Sequence, residues 1–114
     1  MAETKPELRS STGGAAHVTI EVLAWVTQFV GGDGTRRKVF EEALAPGATV
    51  RRVLAGVSDR YPALGEVLWT RAGGELAEHI EILVNDAVLG LTHTLDSPVQ
   101  DGDRITFIAQ YAGG

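Results

Sequence analysis

A chain of 114 residues, 44% of them apolar, has the size of one domain and enough apolar material for one core. It contains no cysteine, which excludes disulfides, thiolate metal sites and a cysteine nucleophile. Fifteen acidic residues against ten basic ones give a formal charge of −5, which argues against nucleic acid as a partner, since a basic face supplies most of that affinity.

Residues 1–16 mix charged and small side chains and pass through Ser10-Ser11-Thr12-Gly13-Gly14. With little to bury, they are expected to form a disordered N-terminal tail. The folded domain is expected over residues 17–110. Its apolar residues first alternate at Val18, Ile20, Val22, Ala24 and Val26, which predicts a strand with one buried face. On that reading Trp25 faces outward and contributes to a docking patch. Gly31-Gly32-Asp33-Gly34 predicts a hairpin turn. It is no phosphate loop, because no Gly-Lys-Ser/Thr follows. Residues 35–44 return as a second strand.

Pro46-Gly47 breaks the chain before a helix capped by Thr49, with an apolar stripe at Val50, Val53, Leu54, Val57 and Tyr61. Pro62 ends it, and Arg51, Arg52 and Asp59 fall off the stripe into solvent. Residues 64–77, with Trp69 and Gly73-Gly74, read as an irregular turn or hairpin. Ile80, Ile82 and Val84 alternate as a strand, Asn85-Asp86 turns the chain, and residues 87–91 form a short strand. Residues 95–100, including Pro98, connect to an Asp101-Gly102-Asp103 turn. Ile105, Phe107 and Ala109 alternate in the final strand, and residues 111–114 are left as a flexible tail.

A hairpin, a helix across it and further strands describe an α+β domain of the β-grasp type, a mixed sheet packed on one main helix. A last strand inserted between earlier ones buries Ile105 and Phe107. No segment approaches the roughly 20 apolar residues of a membrane span, and the N-terminus lacks the apolar run of a secretory signal, so a cytoplasmic protein without a membrane partner is expected. His17, His79 and His93 have no ligand-like spacing, Ser10, Ser11 and Thr12 have no base nearby, and nothing reads as an active site. Basic residues gather early (Arg36, Arg37, Lys38, Arg51, Arg52, Arg60) and acidic ones late (Glu66, Glu75, Glu78, Glu81, Asp86, Asp96, Asp101, Asp103). This is either ordinary solvated surface or an acidic face that steers a basic partner.

The C-terminal run Asp101-Gly102-Asp103-Arg104-Ile105-Thr106-Phe107-Ile108-Ala109-Gln110-Tyr111-Ala112-Gly113-Gly114 resembles the MoaD/ThiS family of ubiquitin-like sulfur carriers, which includes the molybdopterin synthase small subunit. Pro46-Gly47-Ala48-Thr49-Val50, Tyr61-Pro62-Ala63-Leu64 and Ile82-Leu83-Val84-Asn85-Asp86 carry the same resemblance. It implies that the Gly114 carboxylate is adenylated by a ubiquitin-activating-type enzyme and converted to a thiocarboxylate. Tyr111, Ala112 and Gly113 would thread it into a partner's buried site. It implies no bound cofactor, with ATP used by the activating partner, and a sulfur-acceptor enzyme such as a molybdopterin synthase large subunit as second partner. The chain would then be no enzyme itself, or the small subunit of a molybdopterin synthase-type enzyme. Ala109 and Gln110 stand where many members have proline, and Tyr111 replaces a commoner aliphatic residue, which leaves the acceptor open. So does the segment around Gly74-Glu75-Leu76 and His79-Ile80, which looks like the longer variety of the family. The alternatives are a ubiquitin-like modifier conjugated through Gly114 to target lysines, and a β-grasp binding module with an inert tail.

Overall fold

A computed structural model describes residues 16–71 and 74–109. The expected N-terminal tail, apart from Ala16, and the tail at 111–114 lie outside them. The elements are β1 (Ala16–Val22), a 3₁₀ helix (Ala24–Val30), β2 (Lys38–Leu44), α1 (Val50–Arg60), α2 (Pro62–Leu68), β3 (Ile80–Val84), β4 (Ala87–Val88) and β5 (Arg104–Ala109). They form one mixed sheet in the order β2-β1-β5-β3-β4. β5 lies between β1, to which it is parallel, and β3, to which it is antiparallel. This is the expected β-grasp, with the last strand in the middle.

Alternation decides which side of the sheet is covered. Val18, Ile20 and Val22 of β1, Ile80, Ile82 and Val84 of β3, and Ile105 and Phe107 of β5 all point to one buried layer. Val50, Val53, Leu54 and Val57 close it from α1, and Leu64 and Leu68 from α2.

Helix α1 begins where every early backbone donor has an acceptor. Val50 and Arg51 N–H donate to the Ser97 and Leu95 carbonyls at 3.0 and 2.8 Å, and Arg52 N–H to Thr49 Oγ1 at 3.2 Å. Val53 N–H donates to the Thr49 carbonyl at 3.1 Å. The connecting segment with Pro98 therefore works as half of a cap, since helix N-termini otherwise leave such donors unpaired. Thr49→Ala is expected to cost about 1 kcal/mol of unfolding free energy in urea denaturation, the usual worth of a side-chain N-cap.

Several expectations need correction. β1 stops at Val22, and what read as its continuation is the 3₁₀ helix: Ala24 takes a φ of 58° and leaves the extended region. Val26 and Val30 are buried at a spacing of four, a helical repeat that the short alternating pattern concealed. Trp25 accordingly lies beside Phe29, edge to face at 5.8 Å, packed against the core rather than on the outer sheet face. β2 starts at Lys38, later than expected, and Gly31-Gly32-Asp33-Gly34 follows the 3₁₀ helix instead of joining two strands directly, although β1 and β2 do pair antiparallel.

Pro62 ends α1 and also opens α2, because a proline at the first helical position lacks only an N–H that would go unused. The irregular segment thus begins after Leu68, where Trp69 bridges Leu76 in the expected hairpin-like turn. Arg51 is half-buried, paired with Asp96 at 3.1 Å and donating to the Gly74 carbonyl, whereas Arg52 and Asp59 are exposed as expected. The Asn85-Asp86 turn holds, both residues having positive φ (51° and 72°), but β4 is only two residues long.

Candidate functional site

The candidate reactive residue Gly114 and the threading residues Gly113, Ala112 and Tyr111 lie outside the described residues. What the structure fixes is where the chain departs toward them. β5 ends at Ala109, opposite Ile80 at the start of β3. Because β5 runs parallel to β1, this is also the sheet end at which β1 finishes and β2 begins, with Val22 beside both Phe107 and Lys38. The Leu23 N–H donates to the Phe107 carbonyl at 3.0 Å and ties the root of the tail to the start of the 3₁₀ helix. Trp25 and Phe29 brace that helix against the core. Thr27 Oγ1, fully buried, donates to the Ala24 carbonyl and accepts from Gly34 N–H, both at 2.9 Å, which holds the following loop in place.

The Asp101-Gly102-Asp103 turn sits at the opposite end of β5 and is structural. Asp101 accepts from His17 N–H at 2.9 Å and Asp103 from Gln100 N–H at 2.8 Å and from the Asn85 amide at 3.0 Å, while Gly102 takes a φ of 89°. Asn85 Oδ1 in turn accepts from Arg104 N–H at 2.9 Å. These residues set the entry of β5 into the sheet.

The outer sheet face carries two features. One is apolar: Leu83 faces Val88 across β3 and β4, and Ile108 lies opposite Glu81. The other is an ion network. Glu21 pairs with Arg37 and accepts from Thr106 Oγ1 at 3.2 Å; Arg104 lies 3.9 Å from Glu21 and pairs with Asp86. Arg104 Nε is buried without a hydrogen-bond partner among the described residues. The sequence reading missed this network, for which the only sequence signal was Glu21 at an outward position of an alternating strand. Of the late acidic residues, Asp86 pairs with Arg104 and Asp96 with Arg51.

The hydrogen bond from Arg37 holds the Glu21 carboxyl below its ordinary range, against burial, which pushes it up. A depressed folded value means that this carboxylate stabilises the fold above the ordinary glutamate pKa of about 4.3 and that the contribution is lost as pH falls through the lower folded value. Glu21→Gln is expected to flatten the acid side of the stability profile, read by urea denaturation between pH 3 and 7.

Among the described residues no three His, Asp or Glu side chains gather as a metal site. No described helix is long and apolar enough to cross a membrane. His93 Nδ1 is within 2.9 Å of Thr92 Oγ1, and His17 serves through its backbone.

The sequence model of the ThiS family matches residues 20–114. No curated protein is detectably similar in sequence. Among solved structures, the fold is similar to SAMP1 from Haloferax volcanii (TM-score 0.69, 22% identity, covering 86% of this chain and 99% of that one). It is also similar to small archaeal modifier protein 1 from Methanosarcina acetivorans (TM-score 0.67, 25% identity, 90% and 100% covered). A third is the BexX/CysO complex from Amycolatopsis orientalis (TM-score 0.63, 26% identity, 85% and 99% covered).

Proposed function

This chain belongs to the ThiS family, and we propose that it is a sulfur carrier whose C-terminal Gly114 is adenylated and then converted to a thiocarboxylate. The observation that carries the proposal is that the family match runs through β5 to residue 114, so the tail is part of what the family shares. A carboxylate is a poor electrophile. Attack of the Gly114 carboxylate on the α-phosphate of ATP releases pyrophosphate and leaves an acyl-adenylate. Hydrosulfide then displaces AMP at the carbonyl and leaves the thiocarboxylate. Where a persulfide is the nucleophile instead, the acyl disulfide it forms is cleaved by a thiol, which supplies the two electrons and leaves as a disulfide.

This chain supplies the carboxylate and a narrow arm; a ubiquitin-activating-type enzyme supplies ATP and the site. On this reading the chain is a co-substrate rather than a catalyst, or the small subunit of a molybdopterin synthase-type enzyme. It binds no cofactor of its own and works in the cytoplasm. The outer face around Leu83, Val88 and Ile108 is the surface the partners read. The acceptor is an enzyme in the manner of a molybdopterin synthase large subunit, or of the partner in the BexX/CysO complex.

A second reading, a modifier joined through Gly114 to target lysines, is favoured by the two similar archaeal proteins named as modifiers. Against it, the chain offers only Lys5 and Lys38 for chains on itself. Gel bands of higher mass that survive boiling in reductant and detergent would favour the modifier. A thiocarboxylate consumed by a small-molecule acceptor, without such bands, would favour the carrier.

A further inference from the structure

β2 is the outermost strand, and its geometry leaves one side open. The His17 carbonyl and the Thr19 and Leu23 N–H groups bond toward β5 and the turn before it, so odd-numbered residues of β1 face β5 and even-numbered ones face β2. With Thr19 paired to Glu41, the backbone groups of Val39, Glu41 and Ala43 then point away from the sheet. Among the described residues the one bond made there is from Arg60 Nη1 to the Glu41 carbonyl at 3.0 Å. The strand has no proline, and its register with β1 runs unbroken, without a bulge. It therefore lacks two devices by which proteins blunt an edge.

Beside this edge, β2 and α1 enclose a cleft of about 350 Å³, floored by Leu44, Ala45, Ala48, Val53 and Gly56 and rimmed by Arg52. A Cβ at Gly56 would lie 2.8 Å from the movable end of the Glu42 side chain. Glu42 is neutralised by Arg60, whose guanidinium lies over the Phe40 ring at 4.9 Å. Arg52 makes no ion pair among the described residues. On the opposite face of the strand Glu41 stands exposed.

We propose that this edge and cleft form a second docking site, which takes an extended segment of a partner protein as a sixth strand. Charge fixes the kind of segment. Side chains turned toward α1 are apolar, with an acidic one at Arg52, and those on the other face include a basic one beside Glu41. Two copies of this chain paired in the register centred on Glu41 would set like carboxylates side by side, which disfavours that self-pairing. β2 lies two strands from β5, so a partner held here leaves the root of the tail accessible. The site does not depend on what the tail carries.

The test is an NMR titration of the full ¹⁵N-labelled chain with the peptide acetyl-Val-Lys-Leu-Thr-Asp-Lys-amide, with a scrambled peptide of the same composition as control. The expected result is saturable, sub-millimolar binding. Shifts concentrate on β2 and on Val53 and Gly56, and exchange of the Val39, Glu41 and Ala43 amides slows. Arg52→Glu is expected to weaken binding about tenfold or more, a loss near 1.4 kcal/mol. Ala43→Pro, which removes an edge donor without touching the ladder to β1, is expected to abolish it. Shifts confined to the outer face, equal binding of the scrambled peptide, no saturation, or an unaffected Arg52→Glu variant would each overturn the proposal. So would β2 amides protected by self-association in the absence of peptide, which would assign the edge to a second copy.

Discussion

Gly113→Trp is expected to leave thermal unfolding of the domain unchanged while cutting sulfur loading of Gly114 by about 100-fold or more, the usual price of misplacing a reacting group by an ångström. The position follows β5, which ends at Ala109, and the substitution leaves every residue of the described core in place. Loading responds, because a partner that buries the terminal carboxylate must admit the arm behind it. Four extended residues from Tyr111 reach roughly 13–14 Å, and glycine is the residue whose backbone passes where any side chain would jam. Gly113→Ala should fall between wild type and tryptophan. Tyr111→Ala, which narrows the arm at its root, should load at least as fast as wild type unless the ring is itself read by the partner. Time courses of thiocarboxylate formation by mass spectrometry separate these cases.

Phe107→Ala is the opposite kind of change, with an expected loss of about 3–5 kcal/mol of unfolding free energy. Phe107 is fully buried in the central strand, flanked by Val22 of β1 and Ile82 of β3, and its carbonyl holds the Leu23 N–H. Removing the ring leaves a cavity between three strands and the helices above them, where backbone pairing prevents collapse. Against a typical total of about 5–15 kcal/mol the variant is marginal, and its loading should fall only in proportion to the unfolded fraction. Val88→Ala, at a 40% exposed position on the outer face, is the matched control and should change stability by less than about 0.5 kcal/mol. Urea denaturation of the three proteins checks the order.

The elements legible in the sequence were those whose apolar period was unambiguous. Val50, Val53, Leu54 and Val57 gave α1 together with its Thr49 cap, and Ile80, Ile82 and Val84 gave β3. The placing of β5 in the middle followed from the apolar pattern at Ile105 and Phe107. Residues 24–30 were misread because a chain that alternates through Val22 keeps alternating by coincidence through Val26, and nothing in composition announces the left-handed turn at Ala24. Helix α2 was hidden by Pro62, which reads as a terminator although it serves equally well as a first helical residue.

At the site, the tail was legible only through the family pattern. Its physical surroundings were not legible, because they depend on which strands become neighbours. Thr106 and Glu21 are 85 residues apart and meet only once β5 lies parallel to β1. The free backbone groups of Val39, Glu41 and Ala43 are likewise a product of register. An alternating pattern shows which face of a strand is buried; it does not show which edge is left unpaired.

The most direct test of the carrier reading is the intact mass of the full chain after incubation with its adenylating enzyme, ATP and hydrosulfide. The predicted result is a gain equal to the exchange of one oxygen for sulfur, located at the C-terminal residue and absent from a variant lacking Gly114. An unchanged mass, with an enzyme shown to load another carrier under the same conditions, would contradict it and leave the ThiS-family fold serving some other purpose.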